Sequence, residues 1–172
     1  MTSPKDHLIA LALCVADANI LFDLRNGCIV EQIPSLPYHF IIPDAVFAEL
    51  EPSLRHTIES LGFEIGALAA PTVAEVYALR AQQPRLSVAD LFALFLARDR
   101  GALLLTGDKR LRRLAETYGL VVHGVLWILD ELYDRHLFNG QQAWAALERI
   151  RALGGRLPEA QCQKRRRQWL KG

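Results

Sequence analysis

Residues 8–22 read LIALALCVADANILF, and the meaning of this stretch decides the fold. A short apolar run follows Lys5 and leads into Ala16-Asp17-Ala18, the outline of a secretory leader with an A-x-A cleavage site. The same residues describe a strand buried on both faces, with an aspartate at its C-terminal tip. In the first case Asp17 is discarded. In the second it sits at the edge of a sheet. The basic flank is weak, because Asp6 offsets Lys5. Cutting after Ala18 would also take one strand from an otherwise regular pattern. We therefore read Leu13–Asp17 as a strand.

Working outward, short apolar runs alternate with helical periodicity. Further strands are expected at Phe40–Ile42, Phe63–Ile65, Ala102–Thr106 and Leu120–His123. They are apolar throughout, as in a parallel sheet covered on both sides. Helices are expected over Ala18–Leu24, Asp44–Ser60, Thr72–Gln82, Ser87–Asp99 and Lys109–Tyr118, the last closed by Gly119. Val88, Leu91, Phe92, Phe95 and Leu96 share one face of the Ser87–Asp99 helix. This order specifies an α/β layered fold. After His123 the pattern is helical only, over Val125–Arg135, Gln141–Leu153 and Pro158–Leu170. We therefore divide the chain into a core domain, residues 1–125, and a C-terminal helical extension, residues 126–172, packed on or appended to it.

The totals set bounds. The 172 residues, 51% of them hydrophobic, suit one compact domain. No apolar run is as long as a membrane span. Cys14, Cys28 and Cys162 are scattered and odd in number, without zinc-site spacing. That usage fits a reducing, cytoplasmic compartment. Of the 20 Lys and Arg, five lie in residues 161–172, which hold no acid; the other 15 face 19 acids. The body is thus mildly acidic and the tail basic. A nucleic-acid ligand would need local basic groups or bound cations.

Ligand sites in open α/β sheets form beyond the C-terminal ends of the strands. Asp17 ends the first strand. Asp108 follows the fourth, in LLLTGDKRL. Glu49 lies after the second strand, in IPDAVFAEL, and Asp90 opens the helix that leads to the fourth, in LSVADLFAL. Each acid has a structural explanation of its own. Asp17 and Asp108 suit helix N-caps. Ser87-x-x-Asp90 resembles a capping box. Glu49 suits a solvated helix face. Gathered at one edge, however, four carboxylates would repel one another and raise each other's pKa. A hard divalent cation relieves that repulsion.

These segments together resemble the PIN domain family. The carrying residues are VADANIL around Asp17, PDAVFAEL ending at Glu49, SVADLFALFLA around Asp90, and LLLTGDKRL around Asp108. The D-x-N of Asp17 and Asn19 and the T-x-D of Thr106 and Asp108 match the family pattern, over residues 10 to about 125. The resemblance implies a three-layer α/β/α sandwich with a central parallel sheet of about five strands, here with C-terminal helices added. It implies a Mg²⁺- or Mn²⁺-dependent ribonuclease with Asp17, Glu49, Asp90 and Asp108 as catalytic and metal-binding acids. Asn19 and Thr106 would support them. Many members are toxins blocked by an antitoxin that enters the acidic groove, and many are homodimers. The long helical extension departs from a minimal toxin. Glu51 stands beside Glu49, and the spacing alone does not choose between them.

Lys109, Arg110, Arg112 and Arg113 crowd the helix after Asp108. They read as RNA phosphate contacts or as a solvated face. Lys164–Arg167 with Trp169 reads as a nucleic-acid grip or as a plain terminus. Trp127 reads as core or dimer surface. The five histidines have no ligand spacing, and only His123, at a strand end, merits inspection. The rival function is a non-catalytic scaffold of the same fold that binds RNA or protein. A phosphatase with Asp17 as nucleophile would want a second acid where Asn19 stands.

Overall fold

A computed structural model describes residues 11–171. Five strands form one wholly parallel sheet: β1 (Ala12–Ala16), β2 (Tyr38–Pro43), β3 (Glu64–Gly66), β4 (Leu103–Leu105) and β5 (Val122–His123), in the order β3-β2-β1-β4-β5. Within the opening stretch Ala12–Ala16 is therefore a strand, and the central one, and Ala18 begins α1; residues 8–10 lie outside the described residues. The chain first winds outward from β1 through β2 to β3. It then crosses back to β4 and β5 on the other side. That reversal opens a crevice between the C-terminal ends of β1 and β4.

Nine α-helices cover the sheet among the described residues: α1 (Ala18–Asn26), α2 (Asp44–Glu49), α3 (Pro52–Ser60), α4 (Ala70–Gln82), α5 (Val88–Arg100), α6 (Lys109–Thr117), α7 (Val125–Asp134), α8 (Gly140–Ala152) and α9 (Glu159–Trp169). Alternation along the strands divides the core into two layers. Cys14, Ala16, Phe40, Ile42 and Leu105 face a cluster built with α1, α3, α7, α8 and α9. Val15, Ile41 and Leu104 face a second cluster built with α4, α5 and α6. The architecture is the three-layer sandwich expected. The extension contributes Ile128, Leu147, Cys162 and Trp169 to the same cluster as the β1 residues.

Several local features differ from the pattern read in the sequence. Asp44–Ser60 is two helices. Leu50 and Glu51 are extended, with ψ of 147° and 153°. Pro52 disfavours a helical residue before it and lacks the amide a continuous helix needs. Helix α5 does not bury one stripe only: Ala89 and every residue from Leu91 to Ala97 are buried, because α5 is covered by the sheet, α2, α4 and α6. A 3-10 turn at Val30–Ser35, which periodicity does not mark, leads into β2. Trp169 is core, 3% exposed, so its indole is not available for the nucleic-acid grip that is one of the two readings of this segment. Arg165 beside it pairs with Asp130 on α7.

Candidate acidic site at the β1–β4 crevice

Asp17 follows β1 directly, and its amide bonds the Leu105 carbonyl at 3.1 Å, which extends the β1–β4 ladder. Its carboxylate is fully buried. Oδ1 accepts the Ile20 amide at 2.8 Å and so caps α1. Oδ2 accepts the Thr106 hydroxyl at 2.5 Å. That hydroxyl in turn accepts the Asp108 amide at 3.0 Å. Asp108 Oδ1 then accepts the amides of Arg110 at 2.6 Å and Leu111 at 3.0 Å, capping α6. A continuous polar chain thus joins two acids that lie 91 residues apart in the sequence.

Asp90 forms the capping box with Ser87. Its Oδ2 accepts the Ser87 amide at 2.8 Å, and its own amide donates to Ser87 Oγ at 3.0 Å. The structural explanations of Asp17, Asp90 and Asp108 are therefore all true. Capping does not exhaust them. Asp90 Oδ1 and Asp108 Oδ2 accept no hydrogen bond from any described residue.

Burial pushes the Asp17 carboxyl up from 3.8 to about 7. The bonds from Thr106 and Ile20 oppose this, while the charges of Asp90 and Asp23 add to it. Asp17, Asp90 and Asp23 therefore share one electrostatic neighbourhood. Burial also pushes Asp23 up, to about 6. Glu49 is exposed at the end of α2, with no side-chain hydrogen bond to a described residue. Glu51 pairs with Arg25 on the surface. No three His, Cys, Asp or Glu side chains converge to hold a metal ion among the described residues.

Beside the acids lies an open cleft of about 900 Å³. Asn19 and Asp23 line one wall, Thr106 and Asp108 another, and the loop Leu153–Pro158 a third. Lys109 and Arg112 also face it. Arg112 is committed to carbonyls, donating to Val122 at 2.8 Å and Thr106 at 3.5 Å. His123 stacks on Trp127 at 4.5 Å and 11°, and both line the cleft. Burial and the Arg112 charge hold His123 below the ordinary imidazole value. Arg110 and Arg113 face away, into a separate depression.

The site includes residues that motif spacing does not single out. Asp23 is four residues after Asn19, so both fall on one face of α1; that i, i+4 spacing was the available signal. The Leu153–Pro158 wall has none, because it arrives from the far end of the chain.

The fold is a parallel-sheet α/β domain with an acidic crevice at its topological switch point. A family model described as a PIN domain matches residues 13–171, and the chain belongs to the PIN domain family. PIN domains are generally nucleases. The match runs through the C-terminal helices. No curated protein matches the chain. Among solved structures, a PilT N-terminus domain protein, SSO1118, from Sulfolobus solfataricus P2 is similar. It is 14% identical, with 70% of this chain and 94% of that one covered and a TM-score of 0.44. No helix among the described residues is long and apolar enough to cross a membrane.

Proposed function

We propose that this PIN domain is a metal-dependent endoribonuclease that hydrolyses RNA phosphodiester bonds. The observation that carries the reading is Asp17: a fully buried carboxyl, tied through Thr106 to Asp108 and crowded by the charges of Asp90 and Asp23. The donor chemistry, all oxygen, suits Mg²⁺ or Mn²⁺, although no three of these acids converge among the described residues. Asp17, Asp90 and Asp108 would hold the cation, the last two through their free oxygens, with Glu49 assisting. When bound, such an ion supplies water activation and relief of charge at the leaving oxygen.

The chain's own residues do the rest. Thr106 fixes the Asp17 carboxylate by donating to it. Asn19 and Asp23 border the path into the crevice. Lys109 offers a free ammonium to a phosphate of the strand. In-line attack by water with departure of the 3′ oxygen leaves a 5′-phosphate. In the cytoplasm the same cleft would suit the tail of an antitoxin, and a homodimer is the assembly we expect.

Calorimetry with Mn²⁺ tests the site directly. The wild type should bind, and an Asp17→Asn, Asp108→Asn variant of unchanged circular dichroism should not. Asp17→Asn alone should abolish metal-dependent RNA cleavage. Full cleavage by that variant would sink the assignment. The second reading, an RNA- or protein-binding scaffold, draws on the absence of three converging acids among the described residues. Wild type that binds RNA but neither binds Mn²⁺ nor cleaves, with RNA present or absent, would favour it.

A further inference from the structure

A second depression, of about 400 Å³, lies against another face of α6. Arg85 enters it from the loop before α5, and Arg110 and Arg113 enter from α6. Leu86 and Leu114 supply its apolar lining. Leu86 is 2% exposed and Leu111 is fully buried, so both backbone segments carrying these arginines are pinned to the core. The three guanidinium groups are exposed.

Most other arginines are engaged, and Arg80, Arg156 and Arg167, which are not engaged among the described residues, lie outside this depression. Arg25, Arg98, Arg100, Arg135, Arg151 and Arg165 pair with carboxylates. Arg55, Arg112 and Arg149 donate to backbone carbonyls. Arg85, Arg110 and Arg113 do neither among the described residues, and yet they converge. Three like charges held together repel one another and stabilise nothing until an anion arrives. The guanidinium fork suits phosphate in particular. Chain connectivity places the depression beside the acids. Arg85 is two residues before the Ser87–Asp90 capping box, and Arg110 two after Asp108.

We propose that Arg85, Arg110 and Arg113 form a phosphate subsite for single-stranded RNA, holding the strand outside the acidic crevice. This rests on the nuclease reading above and deepens it. The strand would be gripped on one side of the acids, with the cleft receiving it on the other. Lys109 and Arg112, though neighbours in sequence, belong to the cleft instead.

The test measures binding of fluorescein-labelled single-stranded RNA across a KCl series, in an Asp17→Asn background that prevents cleavage. R85Q/R110Q/R113Q should flatten the plot of log K against log salt by about 2, at roughly 0.7 for each phosphate no longer neutralised. R80Q/R167Q/K171Q, equal in charge but outside both depressions, should leave the slope unchanged. An unchanged slope in the first variant, or an equal fall in both, overturns the subsite. If wild type still cleaves RNA in that case, the nuclease reading stands without it. No RNA binding by the parent would overturn the subsite too, and failed cleavage would then remove the nuclease reading as well.

Discussion

Asp17 is acidic, wholly enclosed, and hydrogen-bonded at both oxygens. Its folded carboxyl titrates near 7 against an ordinary 3.8, so folding favours its neutral form. The sign follows from proton counting. Between about pH 4 and 7 the folded state binds more protons than the unfolded, and stability falls as pH rises. The contribution is complete below the unfolded value and gone above the folded one. Asp23, raised to about 6, adds a smaller loss over a narrower window. Asp17→Asn removes the larger share. Without divalent cations, the variant should gain on the wild type from pH 4 to 7, by at most about 4 kcal/mol. Urea midpoints for both proteins at several pH values check this. Parallel curves would mean that Asp17 ionises freely. At this scale the sequence was legible where chemistry is local. Val-Ala-Asp at a strand end and Ser-x-x-Asp before a helix each announce a constrained carboxylate. The Thr106–Asp17 bond was not, because it joins residues 89 apart in the chain.

Among the elements, boundaries were readable where a single residue forbids continuation and obscure where packing decides. Pro52 carried the signal that separates α2 from α3, and apolar spacing on both sides masked it. The all-round burial of α5 had no sequence mark beyond its high apolar content. The contact of α8 with the end of α9 was equally hidden. A Cβ added at Gly140, in the first turn of α8, would lie 1.7 Å from the Trp169 carbonyl oxygen. That oxygen belongs to backbone and has no rotamer by which to retreat. Gly140→Ala should therefore displace α9 and destabilise the protein by about 1–3 kcal/mol, although alanine is the better helix former. Thermal unfolding measures it. A neutral or stabilising substitution would show that α9 is not held against α8 as described.

For the whole molecule, alternation of apolar runs and helical periods gave the layered parallel sheet, with strand ends wrong by one or two residues. The cleft was the part that stayed hidden. Its walls come from α1, the β4–α6 turn and the Leu153–Pro158 loop, and only assembly shows that they meet. The shared core has a measurable consequence. Cys14 and Ala16 of β1 belong to one cluster with Leu147 of α8 and Trp169 of α9. Denaturant unfolding should accordingly be a single transition, the same by far-ultraviolet circular dichroism and by tryptophan fluorescence. Separate midpoints would show the C-terminal helices melting independently.

The order of the strands bears on the moment at which the crevice comes into being. Among the described strands the middle one is synthesised first, and its partner β4 is made some 90 residues later. Arg165, on the rim of the cleft, comes later still. A nascent chain leaving the ribosome thus exposes Asp17 long before Thr106 exists to hold it. Pairing over such distances is slow, because loop closure precedes the contacts that reward it. The acidic centre is consequently assembled only after β4 and Thr106 have been made, and its cleft only after α9.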